Sequence, residues 1–145
     1  MMKMNSVFQI SVTANYKYVR IIKNVTERFL LSDGISEEDV YMIKLAIAEA
    51  ASNIVKHSYC MECEKSIEYR VEKEGSKYRF IFRDYGRHVE LSGIKSRDLD
   101  NYKENGLGVY LIKSIMEEVT YEHMDIGTKL TMLKIIGDGC DGRGK

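Results

Sequence analysis

Residues 7–13, Val-Phe-Gln-Ile-Ser-Val-Thr, place Phe8, Ile10 and Val12 on one side, the period-two pattern of a half-buried strand. From Ala14 the period changes. Tyr18, Val19, Ile22, Val25, Thr26, Phe29 and Leu30 recur at steps of three and four, which predicts an amphipathic helix over 16–31, capped by Asn15 and ended by Ser32-Asp33-Gly34. A second helix is expected from Ser36, whose hydroxyl is placed to cap the amides ahead of it. Glu37, Glu38 and Asp39 put negative charge in its first turn, and Asp39 approximates a capping box. Its buried stripe is Val40, Ile43, Ile47, Ala50 and Ile54.

Alternation returns at Ile67, Tyr69 and Val71, breaks at Glu74-Gly75-Ser76, and resumes at Tyr78, Phe80 and Phe82, an antiparallel hairpin ending at Arg83-Asp84. Residues 87–105 are polar and irregular, longer than an ordinary connection, which predicts a functional lid or a disordered segment. Gly106-Leu107-Gly108 opens a third helix with Val109, Ile112, Ile115, Met116 and Val119 as its apolar face. Strands over 119–124 and 128–136, joined by Asp125-Ile126-Gly127, complete the pattern, with Leu130 and Met132 on one face. The order strand, helix, helix, hairpin, lid, helix, hairpin predicts an α/β two-layer sandwich: a mostly antiparallel mixed sheet with the helices on one face. One domain is expected over 1–136, followed by a disordered tail over 137–145.

Composition narrows the function classes. The 145 residues are 44% hydrophobic and 30% charged, a globular balance of single-domain size. Lys plus Arg and Asp plus Glu each number 22, so the zero net charge argues against nucleic acid as a partner. No apolar run reaches the roughly 18 residues of a membrane span, and the start Met1-Met2-Lys3-Met4-Asn5 lacks a signal-peptide core, so a cytoplasmic protein without membrane contact is expected. His57, Cys60 and Cys63 follow a His-x-x-Cys-x-x-Cys spacing without a nearby fourth ligand, so reduced thiols in a loop are expected rather than zinc.

The chemistry-bearing stretch is Glu49-Ala50-Ala51-Ser52-Asn53, where a carboxylate and a carboxamide four residues apart share one helix face at the rim of the apolar stripe. A carboxylate takes a proton or ligates a metal, and a carboxamide oxygen is a neutral hard ligand suited to Mg2+, so the pair is suited to phosphate chemistry. The glycine-rich entry at 106–108 is suited to presenting helix-end amides to an anion. His57 reads as a helix-end residue that packs or caps, Lys56 as a solvated side chain, and His88 and His123 belong to no constellation.

Four signals now stand in order: Glu49 to Asn53 on a helix, Asp84-Tyr85-Gly86 at a strand end, Gly106-Leu107-Gly108 at a helix start, and Gly127-Thr128 entering the last strand. Together they resemble the GHKL ATPase superfamily with its Bergerat nucleotide-binding fold, and within it the anti-sigma factor serine/threonine kinases. The similarity spans Phe8 to about Ile135, including Asn53 with His57-Ser58-Tyr59 and Gly106 to Ile112. It implies ATP or ADP with Mg2+ as ligands, Asn53 as the Mg2+ ligand, and Glu49 as the general base toward an acceptor serine or threonine. It further implies Asp84 as acceptor from the adenine amino group, Gly86 as a close approach to the base, Thr128 as support for the adenine contact, Gly106, Leu107 and Gly108 as the phosphate loop, and 87–105 as the lid. Arg87 and His88 depart from the family's second glycine or proline, and Lys103 stands where some relatives carry arginine. The implied partners are a sigma factor, an anti-anti-sigma (STAS) protein and a second copy in a homodimer. Two other activities fit this fold: a nucleotide-responsive binding module without transfer, and a detached histidine-kinase catalytic domain.

Overall fold

The computed structural model describes residues 4–88 and 106–137. The sheet has five strands: β1 (Asn5–Thr13), β2 (Ser66–Glu74), β3 (Lys77–Asp84), β4 (Glu118–His123) and β5 (Thr128–Ile135), ordered β1-β2-β3-β5-β4. All four pairings are antiparallel, so among the described strands the sheet lacks the mixed component expected of it. Alternation does the sorting. Ile67, Tyr69, Val71, Tyr78, Phe80, Phe82, Leu130 and Met132 enter the core, while Glu68, Arg70, Glu72, Arg79, Arg83 and Lys129 remain only partly covered on the opposite face.

Three α-helices accompany the sheet: α1 (Tyr16–Ser32), α2 (Glu37–Asn53) and α3 (Gly106–Ile115), with α2 packed against both others. The expected caps form. Asn15 Oδ1 accepts the Lys17 amide at 2.8 Å, and Ser36 Oγ accepts the Asp39 amide at 3.1 Å. Val40, Ile43, Ala46, Ile47, Ala50 and Ala51 bury the inner side of α2. Among the described residues, no helix is long and apolar enough to cross a membrane.

Two boundaries differ from the sequence reading. Val119 lies in β4 rather than on the face of α3, which stops at Ile115. More consequential, α2 does not run on regularly beyond Asn53: residues Ile54–Ser58 form a π-helical turn closed by the Tyr59 amide on the Ile54 carbonyl at 2.9 Å. A π turn inserts extra backbone within a helix and rotates the residues beyond it, which is why such turns gather at functional sites. The segment expected as a lid lies outside the described residues from 89 to 105, as does the expected tail from 138 onward.

Candidate functional site

The site begins with strand register. Asp84, the last residue of β3, faces Thr128, the first of β5, and Thr128 in turn faces His123 at the end of β4. Three polar side chains thus form a row across three strands at one end of the sheet. Asp84 and Thr128 are buried, at 3% and 8% exposure.

The chain around Asp84 is pressed close. Its Oδ1 accepts the Gly86 amide at 2.9 Å. A side chain at Gly86 would collide with the Ser58 carbonyl, and one at Gly127 would collide with the Asp84 carbonyl. Gly127 also has φ +82°, a backbone conformation glycine adopts without strain. Both glycines therefore let backbone segments touch where a β-carbon does not fit.

The π turn supplies the facing wall. It brings His57 and Ser58 beside Asn53 and Ile54, and these four line an open pocket together with Asp84, Val109, Tyr121, His123, Thr128 and Leu130. Its empty space, counting the open mouth, is about 530 Å3. Ser58 hydrogen bonds Asp84, the Ser58 carbonyl accepts the Arg87 amide at 2.9 Å, and the His57 carbonyl accepts Arg87 Nε at 3.0 Å. Tyr59 Oη adds a further tie, accepting the Tyr85 amide at 2.8 Å and donating to the Ser66 carbonyl at 2.8 Å.

Electrostatics mark the same spot. Burial raises the Asp84 pKa above its ordinary 3.8, although hydrogen bonds from Gly86, Ser58 and the Thr128 amide and the Arg83 charge oppose the shift. Burial, with the nearby Lys56 and Arg87 charges, lowers the His57 pKa from 6.5 and favours the neutral ring. Two buried polar atoms in the pocket wall, Thr128 Oγ1 and His57 Nε2, have no hydrogen-bond partner among the described residues. Buried polar groups are nearly always satisfied, so these atoms fit a polar ligand that enters beside them.

Of the residues singled out in the sequence, Asn53, Asp84 and Thr128 meet in the pocket, and Gly86 wraps the Asp84 carboxylate. Glu49 sits one helical turn before Asn53, half-buried, and it does not line that pocket. Instead its carboxylate lies against Gly108, where a β-carbon would stand 3.0 Å from Glu49 Cγ and Cδ. Gly106 and Leu107 open α3, which brings the glycine-rich entry to the Glu49 side of α2. Lys103 falls outside the described residues. Cys60 and Cys63 are free thiols, exposed and half-buried respectively.

Sequence reasoning undervalued the histidines. His57 is a pocket wall as well as a helix end, because the π turn rotates it inward. His88 and His123, without evident context in the sequence, stack at 4.2 Å with rings 5° from parallel.

Comparison with known proteins bears on the family and the fold. A profile described as the histidine kinase-like ATPase domain matches residues 12–134. The serine-protein kinase RsbW of Staphylococcus epidermidis is 28% identical over 137 residues, covering 88% of this chain and 86% of the relative. The protein of the same name from Bacillus cereus strain G9842 is 28% identical over 145 residues, covering 94% and 89%. Among solved structures, the RsbU and RsbW domains of a Mycobacterium tuberculosis protein superpose with TM-score 0.64 at 18% identity, covering 88% of this chain and 32% of that one. The SiaB-SiaC complex of Pseudomonas aeruginosa gives TM-score 0.63 at 9% identity, covering 91% and 90%. At these identities the structures speak for the fold.

Proposed function

The chain belongs to the histidine kinase-like ATPase domain family, and we propose that it is a Mg2+- and ATP-dependent serine/threonine protein kinase of the anti-sigma type. In this reading it holds a sigma factor and phosphorylates an anti-anti-sigma (STAS) protein. The supporting observation is the register pair Asp84 and Thr128: a buried carboxylate beside a buried hydroxyl with no partner among the described residues, both lining one pocket with Asn53. Adenine carries an exocyclic amino donor and ring acceptors on one edge, the complement of a carboxylate and a hydroxyl. The apolar Ile54, Val109 and Leu130 suit its faces.

The remaining residues fall into roles along α2 and α3. The Asn53 oxygen is a neutral hard ligand for Mg2+, which takes few protein ligands and keeps several waters. Bound Mg2+ supplies neutralisation of phosphate charge, the main electrostatic need of phosphoryl transfer. Amides at the start of α3 face the phosphates, with Gly108 permitting close packing against Glu49. Glu49 would take the acceptor hydroxyl proton as that oxygen bonds the γ-phosphorus of ATP and the bond from that phosphorus to the β–γ bridging oxygen breaks, with ADP leaving.

Mixing the chain with Mg-ATP and candidate STAS proteins, and following phosphate transfer to serine or threonine, tests the whole reading. Mg-ADP binding without transfer to any partner would favour the nucleotide-responsive binding module, and no nucleotide binding would overturn both.

Two further results are expected at the pocket. Thr128→Val keeps the shape and removes a hydroxyl that has no partner among the described residues, so the free chain should unfold at equal or higher urea. Mg-ADP affinity should fall by about tenfold, the worth of one buried hydrogen bond. Weakened binding together with lower stability would instead mark Thr128 as structural.

Adenine recognition through the Asp84 carboxylate also predicts pH dependence. Because the folded Asp84 pKa lies above 3.8, affinity should be steady at higher pH and fall as pH drops through that raised value. Calorimetry from about pH 8 down to the ordinary carboxylate range at about pH 4 would show it, and Asp84→Asn should abolish the dependence. Linkage gives the free chain opposite signs at the two groups. Folded Asp84 protonates before unfolded Asp84, so its contribution to stability grows as pH falls toward 3.8, whereas His57 protonates first in the unfolded chain and costs stability below 6.5.

A further inference from the structure

Arg87 and His88, which stand where the family carries a second glycine or a proline, are fixed in opposite directions. Arg87 binds the carbonyls of His57 and Ser58 on the π turn. His88 turns to the other side of the pocket, where its Nε2 lies 2.8 Å from the Met124 carbonyl and its ring stacks on His123. A carbonyl only accepts, so Nε2 carries the proton. Met124 belongs to the β4–β5 turn, whose Gly127 rests on the backbone of Asp84 and Tyr85. His123 ends the row Asp84, Thr128, His123 and lines the pocket, whereas His88 does not.

We propose that the His88–His123 stack is a positioning element for the nucleotide: His88 fixes the ring of His123 as the outer wall of the base pocket and holds the β3 exit against the β4–β5 turn. The proposal rests on the nucleotide reading of that pocket. Its physical content is order. The His123 side chain is exposed and has no hydrogen-bond partner among the described residues, so the stack is what selects one ring orientation at the pocket mouth. Without it, nucleotide binding must itself immobilise the side chain, and affinity falls by that amount. The two residues then act as one unit, in which loss of either ring forfeits what the pair contributes.

The experiment is a double-mutant cycle on Mg-ADP binding, with His88→Ala, His123→Ala, both together, and His123→Phe, each checked for folding by urea titration. Each alanine variant should weaken Mg-ADP about 3- to 10-fold, the range for an aromatic pair. The double variant should be no weaker than about twofold below either single, since coupled residues are not additive. His123→Phe keeps a planar ring on His88 and should restore affinity to within about twofold of the parent, which loss of general stability would not predict. Additive losses, a His123→Phe variant as weak as His123→Ala, or unchanged binding in every variant of a parent that binds Mg-ADP would overturn the stack. A parent that does not bind Mg-ADP would overturn the nucleotide reading and this proposal with it.

Discussion

Glu49→Gln is expected to lower phosphoryl transfer to the acceptor protein by about 10^2- to 10^4-fold, the usual contribution of a positioned general base. That corresponds to about 3 to 5 kcal/mol of lost transition-state stabilisation. Mg-ADP affinity should change by less than about threefold, because Glu49 lies outside the pocket formed by Asn53, Asp84 and Thr128. Glutamine is the informative replacement. It has the same length and packs against Gly108 as the carboxylate does, but its amide does not accept the hydroxyl proton. Single-turnover transfer of labelled phosphate from ATP to the acceptor, under saturating nucleotide, isolates the chemical step from binding. If Glu49→Gln transferred phosphate at the parent rate, the base would have to be sought elsewhere, and the tight Glu49–Gly108 contact would be packing alone.

The difference between Glu49 and Asn53 was partly visible in the sequence. Their spacing of four puts them on one helix face, and the structure keeps them there. It also separates them, since only Asn53 reaches the pocket, for a reason the spacing does not contain: Asn53 adjoins the π turn whose Ile54, His57 and Ser58 form the pocket wall, whereas Glu49 stands a turn further back. Ile54 and Val55 are both buried, a pair that a regular helix accommodates equally well, so the extra backbone leaves no mark on the hydrophobic period. The strands were easier. Tyr69, Phe80, Phe82, Leu130 and Met132 alternate as written, and β-register is set by which side must be buried.

Strand order was the harder part. Alternation alone does not place β5 between β3 and β4, yet that placement sets Asp84 opposite Thr128 and Thr128 opposite His123. Asp84 and Thr128 were reached through the ordered motifs of the family instead. The stack of His88 on His123 had no such route, because neither histidine matches a residue of the family's motifs and the contact depends on a turn folding back over the end of β3. Arg87 and His88, which looked like a departure from the family, become intelligible once their partners on the π turn and the β4–β5 turn are known.

Asp84→Asn should cost about 100-fold or more in Mg-ADP affinity, equivalent to about 3 kcal/mol. The argument is a count of donors. The carboxylate receives hydrogen bonds from the Gly86 amide, Ser58 and the Thr128 amide, and in the proposed complex it also receives one from the adenine amino group. Asparagine offers one oxygen and one amino group in the same space. With its oxygen toward Gly86, the amino group meets donors on the other side, and a buried donor left without an acceptor costs about 1 to 3 kcal/mol. The free chain should suffer less. Its buried carboxylate already carries a desolvation penalty, seen in the raised pKa, and the substitution relieves that penalty while it weakens the hydrogen bonds. Calorimetric titration with Mg-ADP, alongside urea unfolding of the free variant, separates the two effects. Parent and Asp84→Asn chains that bound Mg-ADP within about threefold of each other would show that Asp84 is not the residue that reads adenine, because a charged acceptor in contact with a ligand donor contributes more than that difference.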